Sequence, residues 1–423
     1  MGKLSLPYGR SRQELTAGAC EVLDSHIQDL PKCADETAVV RAAMEAPIGS
    51  PRLRELAAGK KTAVLIISDH TRPVPSRHIV PLMLQELREG NPDIRVTLLV
   101  ATGCHRGTLR EELEHKLGGD ILERERIVVH DCDASPMTDM GVLPSGARLI
   151  INSLVAESDL VVAEGFIEPH FFAGFSGGRK SILPGVCSRT TVLGNHCAAF
   201  IDSPRATMGT LEGNPINRDM EAAARMGRLA YIVNVVIDAE KRVVAAFAGD
   251  ALKAHHTGCA FLRRYCVVRP ERPGDIVVTS NGGAPLDQNV YQAVKGLTTA
   301  ASAAAPGAAL IICAACADGI GGEAFYQALR GCDSASSLLK DIRAVPMERT
   351  VPDQWQYQIL ARIIEDHPVI FATRPELRTA IGEMKMTYAP SLEEALCLAR
   401  GLKGENARLT VIPDGVSVIV EPA

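Results

Sequence analysis

At 423 residues the chain exceeds what one typical hydrophobic core accommodates, so two domains are expected. A composition of 46% hydrophobic and 22% charged residues with net charge -5 is that of a globular protein and lacks the clustered basic excess that nucleic-acid binding needs. Met1–Arg12 has no apolar signal core, and the most apolar later stretch, Ala308–Ala317, is too short for a bilayer, so a soluble, cytoplasmic protein with no membrane partner is expected.

In chain order, residues 1–60 read as an amphipathic, partly helical entry segment. Thr62–Ile67 is a buried strand, followed by Ser68-Asp69-His70-Thr71-Arg72-Pro73 and then a helical spacing of Ile79, Val80, Leu82, Met83 and Leu87. The pattern repeats with strand Ile94–Ala101, loop Thr102–Thr108 and helix Leu109–Leu117, then strands Ile127–His130 and Asp159–Glu164. Successive β-α-β units predict mainly parallel sheets with flanking helices, and such sheets bind ligands in the loops at their carboxyl edge. Arg72, His105, His170 and Lys180 all follow different strands at that edge.

The stretch Glu168–Gly185 places a histidine, a glycine-rich turn and Arg179-Lys180 at one strand exit. Such turns let backbone N–H groups approach an anion, although an isolated Gly-Gly-Arg-Lys reads equally well as a surface turn with solvated charges. His196, between Gly194-Asn195 and Cys197, reads by itself as an exposed turn residue. Strands are expected at 229–238 and 242–248, then a helix over 251–265 with His255 and His256 facing solvent or packing at its edge. Near Arg269–Gly274 the α/β rhythm restarts, dividing the chain into 1–270 and 271–423. In the second part, strand Asp275–Ser280 leads through Asn281–Gln288 into a helix over 289–304, where Gln292 and Lys295 share a face.

The 12 cysteines are scattered apart from Cys313-Ala-Ala-Cys316, which reads as two buried small hydrophobes because no second pair completes a zinc site. Scattered thiols fit a reducing compartment. Two loop histidines suit a two-sided acid–base pair, Arg72 and Lys295 suit an anionic group, and Lys180 suits either a phosphate or a covalent attachment. No cluster of histidines or carboxylates supplies a full metal cage, so any metal must bring most of its ligands.

Ser68–Pro73, Gly103-Cys-His-Arg106, Glu168–Gly185, Gly194-Asn-His196 and Pro285–Gly296 together resemble the nickel-dependent lactate racemase family, in register from about residue 60 to 300, with an echo at Asp353-Gln-Trp355. The resemblance implies a nickel-pincer nucleotide, nickel(II) pyridinium-3,5-bisthiocarboxylate mononucleotide, covalently held on Lys180, with His196 as the protein's ligand to nickel. Ser68, Asp69, His70, Thr71 and Arg72 would line it. His105 and His170 would be alternating base and acid in a hydride-transfer racemisation or epimerisation of a 2-hydroxy acid through its 2-oxo acid. Arg72, Gln292 and Lys295 would fix the substrate carboxylate, while Tyr291 and Trp355 are candidates for shaping its side-chain pocket. The site would lie in the cleft between the two domains, and maturation would require the enzymes that make the cofactor. A Schiff-base enzyme using Lys180, or a non-racemising cofactor-binding homologue, are the alternatives. One departure is Cys104, which stands before the first histidine where a small residue such as Thr is expected.

Overall fold

The computed structural model describes residues 2–421, which form two compact α/β units. The first comprises residues 27–196 and 203–265; the second comprises 266–421 with 2–26 and 197–202. Against the single division expected after residue 270, the N-terminal segment and a short piece after His196 thus join the later unit.

The N-terminal segment differs from expectation in another way. Gly2–Tyr8 and Ser11–Ala17 are strands of an antiparallel hairpin, with Tyr8 paired to Ser11 across the Gly9-Arg10 turn. Leu6, Leu15 and Ala17 point inward and alternate with polar residues, a period of two that short apolar spacings in a mixed sequence obscure. They join the core of the second unit with Ile276, Val278 and Leu396. Helix begins at Glu36–Glu45, capped by Asp35 accepting from the Ala38 N–H.

The first unit is built on a six-stranded sheet in the order Val243–Gly249, Leu229–Ile237, Leu160–Phe166, Thr62–Ser68, Arg95–Ala101, Arg126–Val129. All neighbours are parallel except the first pair. The central strands are apolar on both faces because helices such as Ser76–Gly90 cover them, with Ile79, Val80, Met83 and Leu87 fully buried. The chain runs outward from Thr62–Ser68 through two strands, then returns to place Leu160–Phe166 on the other side. The direction of winding therefore reverses between these two strands, the point at which an open parallel sheet leaves a crevice at its carboxyl edge.

The second unit repeats this logic. Its wholly parallel sheet runs Thr387–Ala389, Val369–Ala372, Ala304–Cys313, Gly274–Ser280, Leu409–Ile412, Glu21–Val22. The winding reverses beside Gly274–Ser280, whose exit loop leads into the helix Val290–Ser302. Cys313 and Cys316 are both buried. Among the described residues no helix is long and apolar enough to cross a membrane.

Candidate active site

In the first unit, the loops after Thr62–Ser68 and Leu160–Phe166 flank the reversal point and carry most of the residues singled out above. Glu164 links the two strands. It is 2% exposed, and its Oε1 accepts from the Ser68 N–H and Ser68 hydroxyl, both at 2.7 Å, and from the Ser76 hydroxyl at 3.2 Å. A carboxylate ending an otherwise apolar strand was the available signal for this anchor, which the sequence reading passed over.

Asp69 follows, 1% exposed, and its Oδ2 lies 2.7 Å from His105 Nδ1. Burial pushes the carboxyl up, but the His105 hydrogen bond and charge, the Thr71 hydroxyl and the Arg72 charge outweigh it and hold the group below its usual value. A carboxylate only accepts, so His105 donates through Nδ1–H and keeps the Nε2 lone pair as a base. Thr71 donates its hydroxyl at 2.7 Å and its N–H at 3.2 Å to the other oxygen of Asp69. The His105 side chain is 46% exposed, so a buried carboxylate orients an accessible imidazole. His70 turns away to Thr108 Oγ1, at 3.1 Å. Among the described residues the Arg72 guanidinium has no hydrogen-bond or ion-pair partner, leaving it ready for an anionic ligand.

The loop after Leu160–Phe166 is shaped from within. Arg179, for which a solvated pair with Lys180 is the alternative reading of the sequence, is 0% exposed. It donates to the carbonyls of Phe175 (2.7 Å), Gly177 (3.2 Å) and Ala173 (2.8 Å) and to Asn217 Oδ1 (2.7 Å). Burial lowers its pKa to about 10, opposed by Cys259 and Glu221, so it stays a cation at neutral pH. His255 is likewise buried, contrary to expectation, with Nε2 2.9 Å from the Ser176 carbonyl. Its spacing with the buried Cys259, Leu262 and Cys266 marks one helix face, a signal that the adjacent His256 masks. Gly178 adopts φ +54, and a Cβ there would fall 2.6 Å from the His255 ring, which explains the glycine. The Gly103 N–H donates to the Gly185 carbonyl at 3.0 Å, tying the His105 loop to the end of this segment.

His170 sits in a two-residue ladder with Gly174. Its Nδ1 accepts from the Ala173 N–H at 3.3 Å, and its ring stacks on Phe171 and meets the edge of Phe172. Phe172 also meets the His196 ring edge-on at 5.1 Å. His196 ends the helix Arg189–Asn195 and is buried rather than exposed. Its Nδ1 donates to the Val192 carbonyl at 3.0 Å. Burial, reinforced by the Lys180 charge, lowers its pKa to about 3, with the Val192 bond opposing. A neutral imidazole with its second nitrogen anchored to a carbonyl is the form that binds a metal.

This donor set fits a group that supplies its own ligands. Lys180 lies close enough to influence His196 electrostatically, and the three-residue metal-capable grouping found among the described residues is elsewhere, at Asp131, Cys132 and Asp133. There Asp133 is engaged by Arg189 at 2.6 Å.

The remaining candidates belong to the second unit, at the corresponding edge of its sheet. Asn289 caps the helix Val290–Ser302 by accepting from the Gln292 N–H at 2.9 Å, placing Tyr291, Gln292 and Lys295 in its first two turns. Tyr291 donates its hydroxyl to Asp353 Oδ1 at 2.9 Å and packs edge-on to Phe325, and Trp355 lies within reach of the same hydroxyl.

A histidine backed by a buried carboxylate and a second histidine stand on loops at the edge of a doubly wound sheet, an arrangement suited to an α/β enzyme. Residues 8–209 match the lactate racemase N-terminal domain and residues 269–420 the lactate racemase C-terminal domain. A lactate racemase of Thermoanaerobacterium thermosaccharolyticum is 48% identical over 99% of both chains, and one of Lactiplantibacillus plantarum is 48% identical over 91% of both. The lactate racemase apoprotein structure from the former organism superposes with a TM-score of 0.95 over 99% of this chain and 100% of that one. A Thermotoga maritima protein, 20% identical with a TM-score of 0.65 over 92% of this chain and 98% of its own, shares the fold alone. The chain belongs to the lactate racemase family and is an isomerase, a racemase.

Proposed function

We propose that this racemase interconverts the enantiomers of lactate or of a closely related 2-hydroxy acid, in the cytoplasm, and carries a nickel-pincer nucleotide attached to Lys180 with His196 as its protein ligand. When bound, that group supplies a reversible acceptor for the C2 hydride. The protein's own residues do the rest. His105 takes the hydroxyl proton on Nε2 while Asp69 steadies the imidazolium that results, and His170 serves the opposite face. The 2-oxo acid between them is planar at C2, so either configuration is restored. Arg72 takes the substrate carboxylate. Ser68, Asp69 and Thr71 line the cofactor's surroundings, while His70, turned to Thr108, does not.

The observation that carries this reading is the His105–Asp69 contact of 2.7 Å, formed on a loop tied to the segment that bears His170 and Lys180. Lactate is the substrate by which both relatives are named. The test is to produce the protein together with enzymes that make the cofactor, then measure intact mass, nickel content and the enantiomeric ratio of lactate over time. One adduct mapping to Lys180, one nickel per chain and loss of optical purity are expected. Racemisation by protein lacking adduct and nickel would refute the cofactor assignment. A loaded protein that leaves a panel of chiral 2-hydroxy acids unchanged would refute the activity.

A further inference from the structure

We propose that Lys116 is a positioning residue that holds Arg72 in place for the substrate carboxylate. This rests on the role proposed for Arg72 above.

Lys116 lies on the helix Arg110–Leu117 and is 9% exposed, an uncommon location for a lysine. Its Nζ donates to the carbonyls of Arg72 at 3.1 Å and Val74 at 3.4 Å. Those carbonyls belong to Arg72-Pro73-Val74-Pro75, in which neither proline offers an N–H, so the loop supplies few donors of its own. The Arg72 carbonyl has no other hydrogen-bond donor among the described residues. Glu164 holds Ser68 and Ser76, the two ends of the same loop. Lys116 thus fixes the Arg72–Val74 stretch of a segment whose two ends a buried carboxylate holds. Burial lowers the Lys116 pKa and the Arg72 charge adds to that, while Glu164 and Asp69 oppose it. Lys116, His70, Arg72 and Val74 also line one cavity of about 770 Å³, so the unpartnered Arg72 side chain has open space to swing into once its backbone loosens.

Lys116 touches neither histidine, and its effect is expected in substrate binding rather than in proton transfer. The test compares Lys116→Met, Lys116→Arg, Arg72→Met and Lys116→Met/Arg72→Met as holoenzymes, with melting temperature measured on each. Loss of a charge-assisted hydrogen bond predicts a KM about tenfold higher for Lys116→Met, with kcat changed far less. Lys116→Arg restores most of it, and Lys116→Met adds nothing to KM once Arg72 is gone. An unchanged KM, or a rise of the same factor in the Arg72→Met background, overturns the proposal. Should Lys116→Met fail to fold, Lys116→Gln answers the same question, and a wild-type KM for it overturns the proposal. If Arg72→Met itself leaves KM unchanged, the carboxylate role of Arg72 fails first, independently of Lys116.

Discussion

His105 and His170 are both histidines on loops, yet their surroundings differ in kind. His105 is oriented by a buried carboxylate at 2.7 Å, whereas His170 is fixed by a backbone N–H and two phenylalanine rings. General acid–base groups typically contribute a factor of about a hundred to ten thousand, so His105→Ala and His170→Ala are each expected to lower kcat by about that much. Neither is the proposed attachment point, so the mass adduct should persist in both variants; wild-type turnover in either would refute two-base chemistry. Lys180→Ala is expected to lose the adduct altogether, and a stoichiometric adduct on that variant would move the attachment elsewhere.

The loop from Ile167 to Gly185 holds a two-residue ladder and one short 3-10 turn, and it is organised around the buried Arg179. Replacing Arg179 with Met takes the donor from the Phe175 carbonyl and Asn217 Oδ1, while the Ala173 and Gly177 carbonyls keep a backbone N–H each. At about 1–3 kcal/mol for each buried group left unsatisfied, a destabilisation on the order of 3 kcal/mol is expected. Gly178→Ala forces a Cβ toward the His255 ring at a positive φ, for a cost of about 1–3 kcal/mol from overpacking alone. Denaturant melts measure both changes, and an Arg179→Met protein as stable as wild type would remove the internal-cage account. The N-terminal hairpin makes the opposite point about reach along the chain. Deleting residues 2–17 uncovers Ile276 and Val278 of the second unit, so limited proteolysis should cut that unit first and spare the unit bearing His105.

At the scale of the molecule, three buried histidines, His130, His196 and His255, make stability depend on pH. His196 titrates at about 3 and His255 well below the ordinary value, both mainly through burial. In the unfolded chain each takes a proton near pH 6.5, so below that pH the unfolded state binds more protons than the native one. Stability of the cofactor-free protein therefore falls as pH drops from about 6.5, by up to about 1.4 kcal/mol per pH unit for each histidine, and continues to fall until the folded values are reached. Carboxylates with depressed values, such as Glu221 at about 2 through its His256 hydrogen bond, extend the loss below about pH 4.5. Thermal melts of the cofactor-free protein between pH 7.5 and 5 should show the decline, and His255→Gln should flatten it. An unchanged slope in that variant would mean His255 is not buried neutral.

Sequence alone determined the β-α-β rhythm, the strand-exit positions of Asp69, Arg72, His105, His170 and Lys180, and the resemblance to lactate racemases. These are legible because buried parallel strands are continuous apolar runs and because site loops must follow their carboxyl ends. Tertiary structure decided what no local pattern encodes. Arg179 is a buried strut because carbonyls from a folded loop converge on it, and His255 is buried because the helix face it occupies meets that loop. Lys116 and Glu164 matter only once a helix and a strand, distant in sequence, close on the same segment. The hairpin at the N-terminus finds its core some 260 residues away, at Ile276. Charges and strands of this kind take their meaning from partners that only the folded chain brings within hydrogen-bonding or packing distance.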